Sequence, residues 1–80
     1  MRQLTFLEPG RFEWQEVPAP RLRAATDAVV RPLTVARCDL DLYIALGVVP
    51  YPGPFAFGHE TIAEVVEAGE AVPFAPGERV

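Results

Sequence analysis

The chain has 80 residues, half of them apolar, and a formal net charge of −4. Because nucleic-acid binding needs a clustered positive face, an acidic chain with scattered arginines predicts no nucleic-acid partner. No apolar run approaches the roughly 18–20 residues of a membrane span, no signal peptide is visible, and a single cysteine fits a reducing compartment, so we expect a cytoplasmic protein with no membrane partner.

Two strands are predicted at the start of the chain. Residues Arg2–Glu8 alternate, with Leu4 and Phe6 on one face and the polar Thr5 on the other, as in a half-buried strand. Arg11–Val17 alternates again after a Pro-Gly turn, which predicts a hairpin. We expect the large aromatic side chains to anchor the core or the loops; they are Phe6, Phe12, Trp14, Phe55, Phe57 and Phe74.

A third strand and a short helix are predicted next. Asp27–Cys38 is rich in β-branched residues, and Pro32 within it demands an edge position or a bulge. Asp39 is the expected N-cap of a helix of about two turns, because apolar residues then recur four positions apart and Gly47 can end it.

The rest of the chain is predicted to contain a loop, another strand and a turn. The prolines of Val48–Gly58 predict an irregular loop, and Glu60–Gly69 favours a strand, although its Glu and Ala content would also permit a helix. A turn at Pro76–Gly77 precedes what looks like the start of one more strand, which suggests a fragment of a longer protein. We expect one mainly β fold with one short helix and no internal domain boundary.

Four residues could form a metal site. Cys38 lies where a strand gives way to a helix N-terminus, which favours the thiolate that a metal needs, and His59 follows 21 positions later. Catalytic zinc commonly takes Cys and His with one more protein ligand. Asp41 and Glu60 could orient the imidazole or serve as a labile ligand. From spacing alone a buried thiol and a hydrogen-bonded imidazole without metal remain open, since one Cys and one His cannot close a tetrahedral site.

Two motifs resemble those of one enzyme family. "GHETIAEVVEAGEAVPFAPGERV" resembles the Gly-His-Glu signature of the medium-chain dehydrogenase/reductase family, specifically the zinc-dependent alcohol dehydrogenases. "VARCDLDLY" resembles that family's cysteine segment, "YPGPFAFGHE" its proline-rich approach to the histidine, and the opening residues its first hairpin. The resemblance implies that residues 1–80 are the N-terminal part of a GroES-like catalytic domain. It implies a partial β-barrel, to which the full-length family adds an α/β Rossmann domain.

The resemblance also implies roles for the four residues. Cys38 and His59 would ligate the catalytic zinc, Glu60 would approach the metal during ligand exchange, and Asp41 would hold the ring of His59. Zinc would polarise the oxygen of a small alcohol, aldehyde or ketone, with hydride passing to or from NAD or NADP. The nicotinamide cofactor would bind to the domain missing from this chain, so the 80 residues alone would be inactive. The full-length family member would be a homo-oligomer.

The sequence departs from the family pattern at four positions. Leu40 stands where the alcohol dehydrogenases usually carry the Ser or Thr of a proton relay, and Tyr43 stands where a relay His is common. Asp39 replaces a Gly or basic residue, and Ala63 replaces a glycine whose loss affects packing. Two alternatives therefore stay open: a zinc-free reductase that resembles the quinone oxidoreductases, and a stand-alone GroES-like binding module. Tyr43 could line a substrate pocket or simply pack.

Overall fold

The chain folds into five strands and one helix, which confirms the mainly β prediction. The computed structural model describes residues 1–80. In chain order the elements are β1 (Arg2–Glu8), β2 (Arg11–Glu16), β3 (Ala28–Val35), α1 (Asp39–Leu46), β4 (Phe55–Ala56) and β5 (Thr61–Ala68). Strands β2, β1 and β4 form one sheet and β3 and β5 another, so the 80 residues contain no closed barrel.

These elements belong to two compact units. The first comprises Met1–Pro18 and Arg37–His59, and the second comprises Ala19–Ala36 and Glu60–Val80. The sequence did not predict this division, because each unit combines two segments that are distant in the chain. No stretch with the composition of a linker marks the points where the chain passes from one unit to the other. The helix has eight residues, far fewer than a bilayer-spanning helix requires.

The sheet of the first unit is built on the predicted hairpin. Strands β1 and β2 pair antiparallel, with Phe6 opposite Phe12, and Gly10 takes a φ of 75° at the turn. The other edge of β1 pairs antiparallel with β4, where Phe6 lies opposite Phe55. The prediction of an irregular loop over residues 48–58 is therefore wrong for Phe55–Ala56. The pairing partner is β1, which is too distant in the chain for local sequence rules to reveal.

An aromatic cluster forms the core of the first unit. Phe6 is only 1% exposed, and its ring centre lies 4.9 Å from that of Phe55 and 5.5 Å from that of Phe12. Trp14 is 60% exposed, and the guanidinium carbon of Arg2 lies over its ring, 5.1 Å from the ring centre. The prediction of an anchoring role is right for Phe6 and wrong for Trp14, whose ring rests against a surface cation instead.

Thr5 is buried on the strand face that the alternation assigned to polar residues. It is 2% exposed, and its hydroxyl donates to Oε1 of Gln15 and accepts from Nε2 of Gln3, both at 3.1 Å. These two bonds satisfy the hydroxyl within the sheet, which removes most of the cost of burying it. Strand β1 is thus covered on both faces at this point.

Helix α1 begins one residue earlier than predicted. Its N-cap is Cys38, in extended conformation, rather than Asp39. The cause is Asp41, whose Oδ2 accepts a hydrogen bond of 2.9 Å from the backbone N–H of Cys38. Gly47 ends the helix as predicted, with a left-handed φ of 78°. Among the residues of the helix, only Asp41 and Ile44 are buried.

The second unit is a two-stranded ladder. Strands β3 and β5 pair antiparallel, with an irregularity between Pro32 and Thr34, which confirms the bulge expected at the proline. The helical alternative for residues 60–69 is wrong, since β5 is a strand in which Ala63 and Val65 are each 1% exposed. Ala63 is therefore a packing position.

The predicted C-terminal turn and strand start are both present. Gly77 has a φ of 93°, and beyond it Arg79 bridges to Glu64 of β5. The backbone groups of Ala63 and Val80 exchange two hydrogen bonds, of 2.8 and 2.9 Å. The last residues thus extend the ladder of the second unit.

Candidate metal centre

Two distant segments of the first unit bring a thiol and an imidazole together. Cys38 is held at the N-cap of α1, and His59 lies two residues beyond Phe57, whose N–H donates to the carbonyl of Leu4 in β1 at 2.9 Å. Sγ of Cys38 lies 3.4 Å from Nε2 of His59. The strand pairing and the helix cap therefore place side by side two atoms that are 21 positions apart in the chain.

One buried carboxylate contacts both of these residues. Asp41 is 4% exposed; its Oδ2 accepts from the backbone N–H of Cys38, and its Oδ1 lies 3.1 Å from Nδ1 of His59. Apart from this ion-pair contact, Oδ1 has no hydrogen-bonding partner. The carboxylate thus lies against the ring nitrogen that faces away from the sulfur, and Nε2 is the nitrogen that faces Cys38.

The donor set fits a zinc ion. Zn–S bonds of about 2.3 Å and Zn–N bonds of about 2.0–2.1 Å at a tetrahedral angle separate the two ligand atoms by about 3.6 Å. The observed Sγ–Nε2 distance of 3.4 Å is close to that value. The position between the two atoms can take a thiol proton or a metal ion. Because Nδ1 lies against the carboxylate and Nε2 faces the sulfur, as in carboxylate–histidine–zinc arrangements, both residues can act as ligands without rearranging the ring.

The other sequence-predicted residue, Glu60, is the first residue of the second segment of the second unit. Its side chain is exposed, and its backbone carbonyl accepts a hydrogen bond of 3.0 Å from the N–H of Ala36. The structure thus brings together Cys38, Asp41 and His59. The ligand role of Glu60 stays a prediction that rests on its place next to His59 in the chain.

Two cavities adjoin the candidate centre. One of about 320 Å³ is lined by Arg37, Cys38, Asp39, Asp41, Leu42, Ala45 and Phe57. The other, of about 310 Å³, is lined by Leu40, Ile44, Tyr51, Pro52, Phe55 and His59. Tyr43 lines neither of these cavities and is 46% exposed, so a pocket role for it stays a prediction.

Tyr51 is the main residue of these walls that sequence reasoning missed. It belongs to the proline-rich segment that leads to His59, and its ring packs edge-on against Phe55 with centres 6.5 Å apart. The signal that could have found it is the position of an aromatic residue between prolines directly upstream of a candidate ligand.

Comparison with known proteins supplies independent evidence. Residues 24–80 match the family model of the alcohol dehydrogenase GroES-like domain. An NADP-dependent isopropanol dehydrogenase from Thermoanaerobacter brockii is 39% identical over 84 residues, which cover 100% of this chain and 23% of that protein. Zinc-type alcohol dehydrogenase B from Aspergillus flavus is 36% identical over 72 residues, covering 90% of this chain and 17% of that protein.

A solved structure agrees with these relatives. Zinc dependent alcohol dehydrogenase 2 from Streptococcus pneumonia, in its apo form, superposes with a TM-score of 0.86 at 36% identity. The match covers 99% of this chain and 23% of that one. The chain therefore spans less than a quarter of the length of the proteins that it resembles.

Proposed function

The chain belongs to the alcohol dehydrogenase GroES-like domain family, and from this premise we propose that it is the N-terminal part of a zinc-dependent oxidoreductase. The proposed reaction is hydride transfer between a small-molecule alcohol and NAD or NADP, with an aldehyde or ketone as the carbonyl partner. The nicotinamide cofactor is proposed to bind outside residues 1–80. The single cysteine supports a cytoplasmic enzyme, and family membership supports a homo-oligomer.

The observation that carries the proposal is the contact between the thiol and the imidazole. Sγ of Cys38 and Nε2 of His59 lie 3.4 Å apart. The carboxylate of Asp41 contacts both residues, through the backbone N–H of Cys38 and Nδ1 of His59. A thiol and an imidazole that merely packed would not need a buried carboxylate aimed at the far nitrogen of the ring. Burial of that charged group is costly unless a partner compensates its charge, and the ring of His59 is the group that faces Oδ1.

Each residue has a defined part in the proposed chemistry. Zinc held by Cys38, His59 and Glu60 would act as a Lewis acid toward the oxygen of the alcohol or carbonyl compound. Oδ1 of Asp41 lies 3.1 Å from Nδ1 of His59, and this contact would hold the ring with Nε2 toward the sulfur. Leu40 carries no exchangeable proton, so the proton of the alcohol has to leave through a different side chain or through water.

The proposal is tested on the full-length protein by measuring bound zinc and hydride transfer together. Zinc content is determined by elemental mass spectrometry, and reduction of NAD or NADP by small alcohols is followed by absorbance. Cys38→Ser should lose most of the zinc and the turnover, because a hydroxyl is a far weaker zinc ligand than a thiolate. Ala36→Ser, which introduces the same hydroxyl at an exposed position two residues earlier, should retain both.

Three results would contradict the proposal in different ways. Turnover without zinc in the unmodified protein would favour the zinc-free reductase, whose signature is Leu40 in place of a relay hydroxyl. The absence of both zinc and turnover in the unmodified protein would favour a binding module. Equal zinc contents in Cys38→Ser and Ala36→Ser would remove Cys38 from the ligand set.

A further inference from the structure

We propose that Thr61 is a positioning residue for the candidate metal centre, because its hydroxyl fastens together the two ends of the chain segment that carries the centre. This ligand segment comprises residues 37–59 and includes all three side chains that meet there, those of Cys38, Asp41 and His59. The inference rests on the proposed function, because it concerns the metal affinity of the same centre.

A backbone hydrogen bond joins the two ends of the ligand segment. The N–H of Ala36 donates to the carbonyl of Glu60 at 3.0 Å. Ala36 precedes Cys38 by two residues, and Glu60 directly follows His59, so both candidate ligands lie next to this bond in the chain. Holding the ends of a segment together reduces the conformational entropy that is lost when a metal ion fixes two of its side chains. A closed segment therefore favours metal binding.

The β3–β5 ladder is interrupted shortly before it reaches these ends. The register shifts between Pro32 and Thr34, where the proline also provides no N–H. Beyond the shift only two residue pairs remain in the ladder, Thr34 with Ile62 and Val35 with Thr61. So short a stretch of pairing at the end of a ladder opens readily unless a further bond holds it.

The hydroxyl of Thr61 supplies that further bond. Its Oγ1 donates to the backbone carbonyl of Thr34 at 2.7 Å, the usual distance for a hydrogen bond between a hydroxyl and an oxygen. A longer contact of 3.2 Å, to the carbonyl of Ile62, stays within strand β5, so the shorter bond is the one that crosses the ladder. The two threonines also share the wall of a cavity of about 160 Å³ with Ala36 and Glu60, which places the hydroxyl bond beside the backbone bond.

The experiment measures zinc affinity and amide exchange in the full-length protein. Thr61→Val removes the hydroxyl of an exposed residue but keeps its shape and β-branching, so the strand should persist. We expect this variant to bind zinc about fivefold more weakly in competition with a chelator of known affinity, the equivalent of one typical hydrogen bond. In the metal-free protein, the amide of Ala36 should exchange about fivefold faster for the same reason. Thr61→Ser restores the hydroxyl and should recover both values.

The matched control is Thr34→Val. This variant removes a hydroxyl from the same cavity wall but keeps the backbone carbonyl to which Thr61 donates, so zinc affinity and Ala36 exchange should stay unchanged. Peptides that contain Ala28 and Ala68, which pair at the far end of the ladder, provide a second control. Their exchange should be the same in all variants, because the hydroxyl bond holds only the near end.

Each outcome decides the inference. Equal zinc affinities in Thr61→Val and Thr34→Val, or a Thr61→Ser variant that binds as weakly as Thr61→Val, would overturn it while a zinc-loaded unmodified protein kept the proposed function standing. Faster exchange at Ala28 and Ala68 in Thr61→Val would also overturn it, since Thr61 would then support the whole ladder. If the unmodified protein holds no zinc but Ala36 exchange depends on the Thr61 hydroxyl, the fastening of the segment ends stands and the proposed function fails.

Discussion

The two units of the chain use strand pairing for different ends. In the second unit, β3 and β5 pair along eight residues each and bury small side chains such as Ala63 and Val65. In the first unit, shorter strand pairings surround a cluster of aromatic rings. Residues 57–59, which end at His59, belong to no helix or strand. All three side chains that meet at the candidate centre belong to this unit. The difference teaches that the candidate centre lies in the unit with the shorter strand pairings, at the point where that pairing ends.

The largest expected effect tests the aromatic core of the first unit. Phe6→Ala should lower local stability by about 3–5 kcal/mol, because Phe6 is 1% exposed and its loss leaves a cavity. Hydrogen exchange of peptides from residues 1–18 in the full-length protein measures this change.

Trp14→Ala on the adjacent strand is the control. Trp14 is mostly exposed, and its main contact is with the Arg2 guanidinium, so the expected loss is about 1 kcal/mol or less. Similar losses in the two variants would contradict the view that Phe6 organises this unit.

The next effect concerns the carboxylate that contacts both candidate ligands. Asp41→Asn should weaken zinc binding about 10- to 100-fold, the usual range for a residue that orients a metal ligand. An amide carries one oxygen and one NH₂ group, so either the Cys38 N–H or the ring of His59 would face an NH₂ group in place of a carboxylate oxygen. Competition with a chelator of known affinity measures the change.

The control for Asp41 is the other acidic residue in the first turn of the helix. Asp39 is exposed and makes neither contact, so Asp39→Asn should leave zinc affinity unchanged. If both variants lost zinc equally, the effect would come from net charge at the helix N-terminus rather than from the geometry of Asp41.

The smallest effect belongs to the second unit. Val65→Ala removes two buried methyl groups and should cost about 1.5 kcal/mol at about 0.8 kcal/mol per group. Val66→Ala, at the neighbouring position that is 43% exposed, should cost clearly less. Hydrogen exchange of β5 peptides compares the two variants, and equal losses would show that β5 is not packed on one face.

Features set by neighbouring residues were predictable from the sequence. The hairpin follows from two alternating runs around a Pro-Gly turn, and the helix end follows from Gly47. The irregularity at Pro32 follows from the missing N–H of proline. In each case the cause and the structure lie within a few residues of each other.

Features that depend on distant partners were not predictable. Strand β4 exists because β1 offers a free edge, and Thr5 is buried because Gln15 of the opposite strand satisfies its hydroxyl. The N-cap at Cys38 is an exception, because its cause is local: Asp41, three residues on, accepts from the Cys38 N–H, which the choice of Asp39 overlooked. The motif resemblance indicated which residues form the candidate centre, but no local pattern could predict the distance between Cys38 and His59.

The short pairing of β4 with β1 has a consequence for how the motif should be interpreted. The pairing ends at the hydrogen bond from the N–H of Phe57 to the carbonyl of Leu4, two residues before His59. The N-terminal hairpin therefore positions the histidine beside the cysteine. A deletion form that lacked β1 would keep both motifs letter for letter and would still score as an intact metal-binding sequence. It would nevertheless lack the template that aligns them, and signature matching alone would assign an activity to a protein unable to assemble its site.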